Sequence, residues 1–180
     1  MKRISRMKKF PFLLLDAGPI IKLFQLGIWD NFIKECDVTI SRIVAIQAKY
    51  ASQEYEDICI DLQPYEKQHL IKIIDLEPSV VKTFYNKFNL LYKAIIHDGE
   101  KETLAFLWTS PENWLVCAAD KAVFRVLGFL DKAKQGISLE EILKDIGQSR
   151  SNLEPEYTKK FREKWTRKGQ IDFIQRQDLG

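Results

Sequence analysis

Phe12-Leu13-Leu14-Leu15-Asp16-Ala17-Gly18-Pro19-Ile20-Ile21 is the stretch on which the fold turns. A short apolar run ends on an acid, a Gly-Pro pair follows, and Ile20, Ile21, Leu23, Phe24 and Leu26 then recur at helical spacing. That order reads strand, tight turn, helix. An aspartate directly after a buried apolar strand is costly unless it reaches the rim of the sheet or holds a cation, so Asp16 becomes a candidate functional residue.

The same junction recurs far along the chain. Trp114-Leu115-Val116-Cys117-Ala118-Ala119 is a continuous apolar run, as expected of a buried parallel strand, and it ends on Asp120 ahead of another helical pattern. In an open α/β sheet, ligands bind at the carboxyl ends of the strands, which is where both acids stand. Between them, Val38-Thr39-Ile40 reads as a strand and residues 43–50 as a helix, after an amphipathic stretch at residues 29–33. Residues 58–62 and 71–76, bounded by Pro64 and Pro78, fit either short strands or helix ends. Residues 79–96 place Val80, Val81, Phe84, Phe88, Leu91 and Ile95 along one face, which predicts a single long amphipathic helix. His97-Asp98-Gly99 breaks it, and helical spacing resumes over residues 100–108. Strands alternating with helices imply an α/β fold, a parallel sheet in a three-layer α/β/α sandwich with extra C-terminal helices.

The chain divides on composition into residues 1–150, the α/β domain, and residues 151–180, a C-terminal helical extension. Ser138 and Glu141 form a capping box, and Gly147 closes that short helix. Beyond it, Tyr157, Phe161 and Trp165 recur every fourth residue among lysines and arginines, a pattern that fits either a packing stripe or a surface on which unpaired bases stack. The net charge of +3 conceals an asymmetry: Lys2, Arg3, Arg6, Lys8 and Lys9 make residues 1–9 a basic arm, and the remainder is slightly acidic. The apolar run before Asp16 is too short for a signal peptide, and no stretch is long enough to span a bilayer, which predicts no membrane partner. Cys36, Cys59 and Cys117 are odd in number and form no metal-ligand spacing, which points to a reduced, cytoplasmic protein.

Glu100 opens a helix with Glu102 two residues on and Asp98 just before Gly99. Acids favour helix starts because of the macrodipole, and that suffices for Asp98 and Glu102 taken singly. Carboxylates brought together repel and are neutralised by a hard cation bound through oxygen, so Glu100 joins Asp16 and Asp120 as a candidate. Neither His69 nor His97 has a serine, cysteine or metal-ligand partner at a useful spacing. No Walker or G-x-G-x-x-G sequence is present, and Gly18 stands where the D-x-D-x-T phosphatase start needs its second acid.

Leu13-Leu14-Leu15-Asp16-Ala17-Gly18-Pro19-Ile20-Ile21 resembles the opening of PIN-domain nucleases. Val38-Thr39-Ile40-Ser41 with Val44, then Gly99-Glu100-Lys101-Glu102 with Leu104-Ala105, and finally residues 115–120 with Lys121 and Arg125, resemble later motifs of that family in the correct order. The resemblance implies an endoribonuclease in which Asp16, Glu100 and Asp120 are the catalytic ligands of Mg2+ or Mn2+. It puts Gln47, Asp98, Glu102 and Ser41 around them, and lets Lys121, Arg125, Lys160 and Lys164 contact single-stranded RNA. It also implies a homodimer and a small antitoxin-type partner, as in the toxins of bacterial toxin–antitoxin pairs. Two positions depart from the pattern: Gln47 replaces a usual glutamate, and Ala119 stands where a second acid often accompanies the one at Asp120. The alternative is therefore a PIN-like module with weakened or lost cleavage that binds RNA or protein.

Overall fold

The computed structural model describes residues 10–52 and 58–177; the basic arm, residues 1–9, lies outside them. Five parallel strands, β1 Phe10–Leu15, β2 Cys36–Ser41, β3 Lys72–Ile74, β4 Leu115–Cys117 and β5 Gly136–Ile137, form one sheet in the order β3-β2-β1-β4-β5. β1 is central and pairs with β2 through Leu14↔Thr39 and with β4 through Leu14↔Val116.

The alternation of side chains along β1 accounts for the layers. Leu13 and Leu15 point into one core and Leu14 into the other, and all three are almost wholly buried. On the first face lie α1 (Ala17–Gln25), α2 (Trp29–Glu35) and α3 (Arg42–Ser52), packing Ile20, Phe32 and Val44 against the sheet. The second face carries α5 (Pro78–Tyr85), α6 (Leu90–Lys93), α7 (Asp98–Thr109) and α8 (Lys121–Phe129), through Phe84, Leu104 and Phe124. A short α4 (Gln63–Lys67) precedes β3, and α9 (Leu139–Asp145) returns to the first face with Leu143. The fold is thus the expected α/β sandwich. The chain leaves β1 for one face and β4 for the other, so the boundary between these two strands is the switch point of the sheet.

Two local expectations are corrected. The helix expected over residues 79–96 is two helices: Asn86 ends α5, and the Asn89 side chain accepts a hydrogen bond from Tyr92 N–H at 3.1 Å, capping α6. Asparagine competes for backbone groups and so favours helix ends over interiors. Phe88 is buried between them, whereas Leu91 is 74% exposed and not part of the core face. Residues 58–62 form no regular element, although Ile60 and Leu62 are buried, while the strand within residues 71–76 is β3.

The last helix, α10 (Lys159–Gln177), is seated on α8. Phe161, Trp165 and Phe173 pack against the second core, with Phe161 edge-on to Phe124. Two glycines set the distance: a Cβ on Gly128 would lie 2.0 Å from the Thr166 carbonyl oxygen, and one on Gly169 would lie 1.9 Å from that of Arg125. Backbone meets backbone on both sides, so no side chain can yield to a methyl group. Gly169→Ala is expected to cost about 1–3 kcal/mol, the range for overpacking, and to lower Tm by several degrees in thermal denaturation.

Candidate functional site

The two strand-then-acid junctions meet at the switch point. Asp16 N–H donates to the Cys117 carbonyl at 3.0 Å, continuing the β1–β4 ladder past the end of β1 and fixing Asp16 beside the exit from β4. Gly18 permits the approach, since a Cβ there would lie 2.8 Å from the Ala119 Cβ. Pro19 follows within the first turn of α1, where a missing N–H costs nothing. Asp120 then N-caps α8, its Oδ1 accepting from Ala122 N–H at 2.6 Å. Glu100 arrives from α7, held by the His97 N–H, which donates to its Oε2 at 2.6 Å.

These residues line one cavity of about 400 Å3, together with Gln47 and His97. Gln47 comes from α3, and its Oε1 rests against the start of α7 at Gly99, where a Cβ would lie only 2.3 Å away. A larger cavity of about 690 Å3 lies at the amino-terminal halves of β1, β2 and β3, away from these carboxylates. In an open parallel sheet the chemistry belongs at the carboxyl ends, so the smaller cavity is the candidate site.

Asp16 and Glu100 are both buried, 8% and 7% exposed. Burial raises the Asp16 pKa to about 6, with the nearby Asp120 adding to the rise and the Ala17 N–H opposing it. Burial likewise raises Glu100 to about 7; the His97 N–H opposes that rise, and the charges of Asp120 and Asp16 and a hydrogen bond with the Asp120 side chain add to it. Glu100 therefore keeps its proton to a higher pH than an ordinary glutamate. The cluster is short of positive charge, and a proton makes up part of the deficit.

The donors are of the kind a hard divalent cation takes: three carboxylates with an amide oxygen nearby. Each of Glu100 and Asp120 is oriented through one oxygen by a backbone N–H, which leaves the other oxygen for further partners. Among the described residues, no three His, Cys, Asp or Glu side chains form a group that could hold a metal ion as they stand. The donor set of carboxylate and amide oxygens fits Mg2+ or Mn2+ in its chemistry.

Other residues singled out from the sequence lie elsewhere. Glu102 is buried facing away from the cavity, its carboxylate accepting from Ile43 N–H at 3.2 Å and Leu76 N–H at 3.3 Å. Ser41 Oγ accepts from Val44 N–H at 3.3 Å and so caps α3. Asp98 is exposed and paired with Lys101 at 2.8 Å. Arg125 is bound to Asp172 at 2.6 Å, while Lys121 and Lys164 both approach the Trp165 ring, and Lys160 is exposed on α10. His97, expected at the surface, is exposed and also lines the cavity; its place two residues before Gly99 of the G-E-x-E segment was the available signal. No helix among the described residues is long and apolar enough to cross a membrane.

The raised acids set the direction of pH dependence. Asp16 and Glu100 keep their protons to higher pH when folded than when unfolded, so without added divalent ion stability is greatest below about pH 4 as far as these groups are concerned, and falls as pH rises toward 7. Asp16→Asn removes its share, on the order of 2–3 kcal/mol at about 1.4 kcal/mol per unit, and should flatten the curve of denaturation midpoint against pH. Glu102→Ala strands two backbone N–H groups and should cost about 2–3 kcal/mol of stability while leaving Mn2+ affinity unchanged by calorimetry. No protein-family model and no curated protein matches this chain, so its reading rests on the site's own geometry.

Proposed function

We propose that the chain is a PIN-domain-like nuclease that hydrolyses RNA phosphodiester bonds with Mg2+ or Mn2+ held by Asp16, Glu100 and Asp120. The observation that carries this reading is the meeting of three carboxylates, far apart in sequence, in one cavity at the switch point of a parallel sheet. Raised pKa values at two of them point the same way, because an acidic cluster with no lysine or arginine among the cavity-lining residues is stabilised by an added cation.

When bound, a divalent ion supplies a water of lowered pKa and offsets charge on the phosphate. The chain's own contribution is placement. Asp16 is fixed by the continued β1–β4 ladder, Glu100 by the His97 N–H, and Asp120 by the Ala122 N–H. With its pKa raised to about 7, Glu100 ligates a cation as the anion more readily as pH rises, so ion binding tightens and is accompanied by some proton release near neutral pH.

A second reading, a PIN-like RNA- or protein-binding module without cleavage, is favoured by one observation: Gln47 and Ala119 contribute no charge to the cavity they line. One pair of measurements separates the two. Under the nuclease reading, calorimetry detects Mn2+ binding with proton release, and single-stranded RNA is cut in Mn2+ but not by Asp16→Asn. No binding and no cutting at any Mn2+ concentration leaves the module. Gln47→Glu restores a full charge beside Glu100 and is expected to tighten Mn2+ binding by about tenfold, read in the same calorimeter.

A further inference from the structure

Four cations of α8 and α10 are paired with carboxylates. Arg125 and Lys168 share Asp172, at 2.6 and 3.1 Å, Arg162 is bound to Glu141 at 2.8 Å, and Lys159 lies 3.6 Å from Glu163. Each of these is neutralised within the fold. Lys121 and Lys164 have no carboxylate partner among the described residues, and both are exposed. Their ammonium groups instead stand 5.7 and 5.3 Å from the centre of a single ring, that of Trp165. Lys121 immediately follows Asp120, so this ring lies within one lysine side chain of the acidic cavity.

Trp165 is half-buried. Its neighbour Phe161, with ring centres 6.2 Å apart, anchors it to the second core, and Phe161 in turn meets Phe124 of α8. A half-buried aromatic ring met by two ammonium groups that have no carboxylate partner among the described residues suits an unpaired nucleotide: the base stacks on the ring and the ammonium groups turn to the flanking phosphates. The same cations offset the repulsion that an acidic cavity exerts on a polyanion.

We infer that Trp165, with Lys121 and Lys164, is a nucleotide-binding platform that holds single-stranded RNA where it runs past the acidic cavity. The inference rests on the nuclease reading for the identity of the strand. Base stacking takes the ring face from the two ammonium groups, which turn to the adjacent phosphates, exchanging two weak cation–π contacts for charge–charge contacts. Phe161 stays packed against Phe124 in a structural role, and the tail helix is thereby both part of the fold and a wall of the binding surface.

The test is equilibrium binding of a short oligouridylate to the full chain in a chelating buffer, where no cleavage occurs, read by anisotropy and by quenching of tryptophan fluorescence. Trp165→Leu is expected to weaken binding about tenfold and to abolish the quenching, while Trp165→Phe, which keeps a stacking face, retains most of the affinity. Lys121→Gln and Lys164→Gln, both at exposed positions, should each lower the slope of log affinity against log salt by about one. Unchanged affinity and slope in the two lysine variants, or equal binding of a duplex of the same sequence, overturns the inference. Binding through Trp165 in a chain that never cuts RNA in Mn2+ keeps the platform and sinks the nuclease. Cutting in Mn2+ combined with undiminished oligouridylate binding by Trp165→Leu does the reverse.

Discussion

Bringing three carboxylates into one poorly solvated place is the constraint on which the structure depends. Asp16 and Asp120 follow the ends of β1 and β4 and Glu100 lies in the first turn of α7, and each is held in place by a backbone group: the Cys117 carbonyl that receives the Asp16 N–H, the His97 N–H on Glu100, and the Ala122 N–H on Asp120. Burial and mutual charge work against this arrangement, and the raised pKa values of Asp16 and Glu100 express that opposition. The arrangement persists because the strands behind it are covered on both faces. Leu13, Leu14 and Leu15 commit β1 to the centre of the sheet whatever the acids cost.

Small residues let those elements close on one another. Gly18 brings the start of α1 against Ala119, and Gly99 leaves room for the Gln47 carboxamide at the start of α7. The same device recurs where Gly128 and Gly169 bring α8 and α10 into backbone contact. Asp120 opens α8, and α10 rests on the opposite end of contacts that begin at Lys121. The position of the third carboxylate is therefore tied to a helix that begins nearly forty residues later in the chain.

The parallel sheet was legible because a continuous apolar run that ends on an acid suits a buried strand emerging at the rim of a sheet and little else, and both junctions could be read from single segments of sequence. The convergence of Asp16, Glu100 and Asp120 was expected only through an ordered set of motifs. Spacing alone cannot tell a carboxylate that faces a cavity from one that faces a backbone. Glu102 illustrates this. It stands two residues from Glu100, but a helix turns by about 200° over two residues, so its carboxylate emerges on another side and satisfies Ile43 and Leu76 N–H. The break at residues 86–89 was hidden because Phe84 and Phe88 continue the helical stripe through it, and only the two asparagines mark the caps. The seat of α10 was illegible for a different reason: glycines inside a helical pattern read as defects until the backbone they admit is known.

Gln47 and Ala119 are best understood through the same electrostatics. Every further acid in this cavity would raise the pKa values of those already there and would require more of whatever cation balances them. A neutral amide at residue 47 keeps an oxygen in place without adding to the repulsion. Ala119 fills its position with the smallest side chain that still meets Gly18, and a longer one there would extend into the space the three acids share. The cavity thus holds enough negative charge to help raise the Glu100 pKa, and less than it would hold with an acid at residue 47 or 119. On the nuclease reading, that difference sets how strongly the site competes for a divalent ion, and it makes the affinity for Mn2+ more sensitive to pH than in a cluster whose acids are all fully ionised at neutrality.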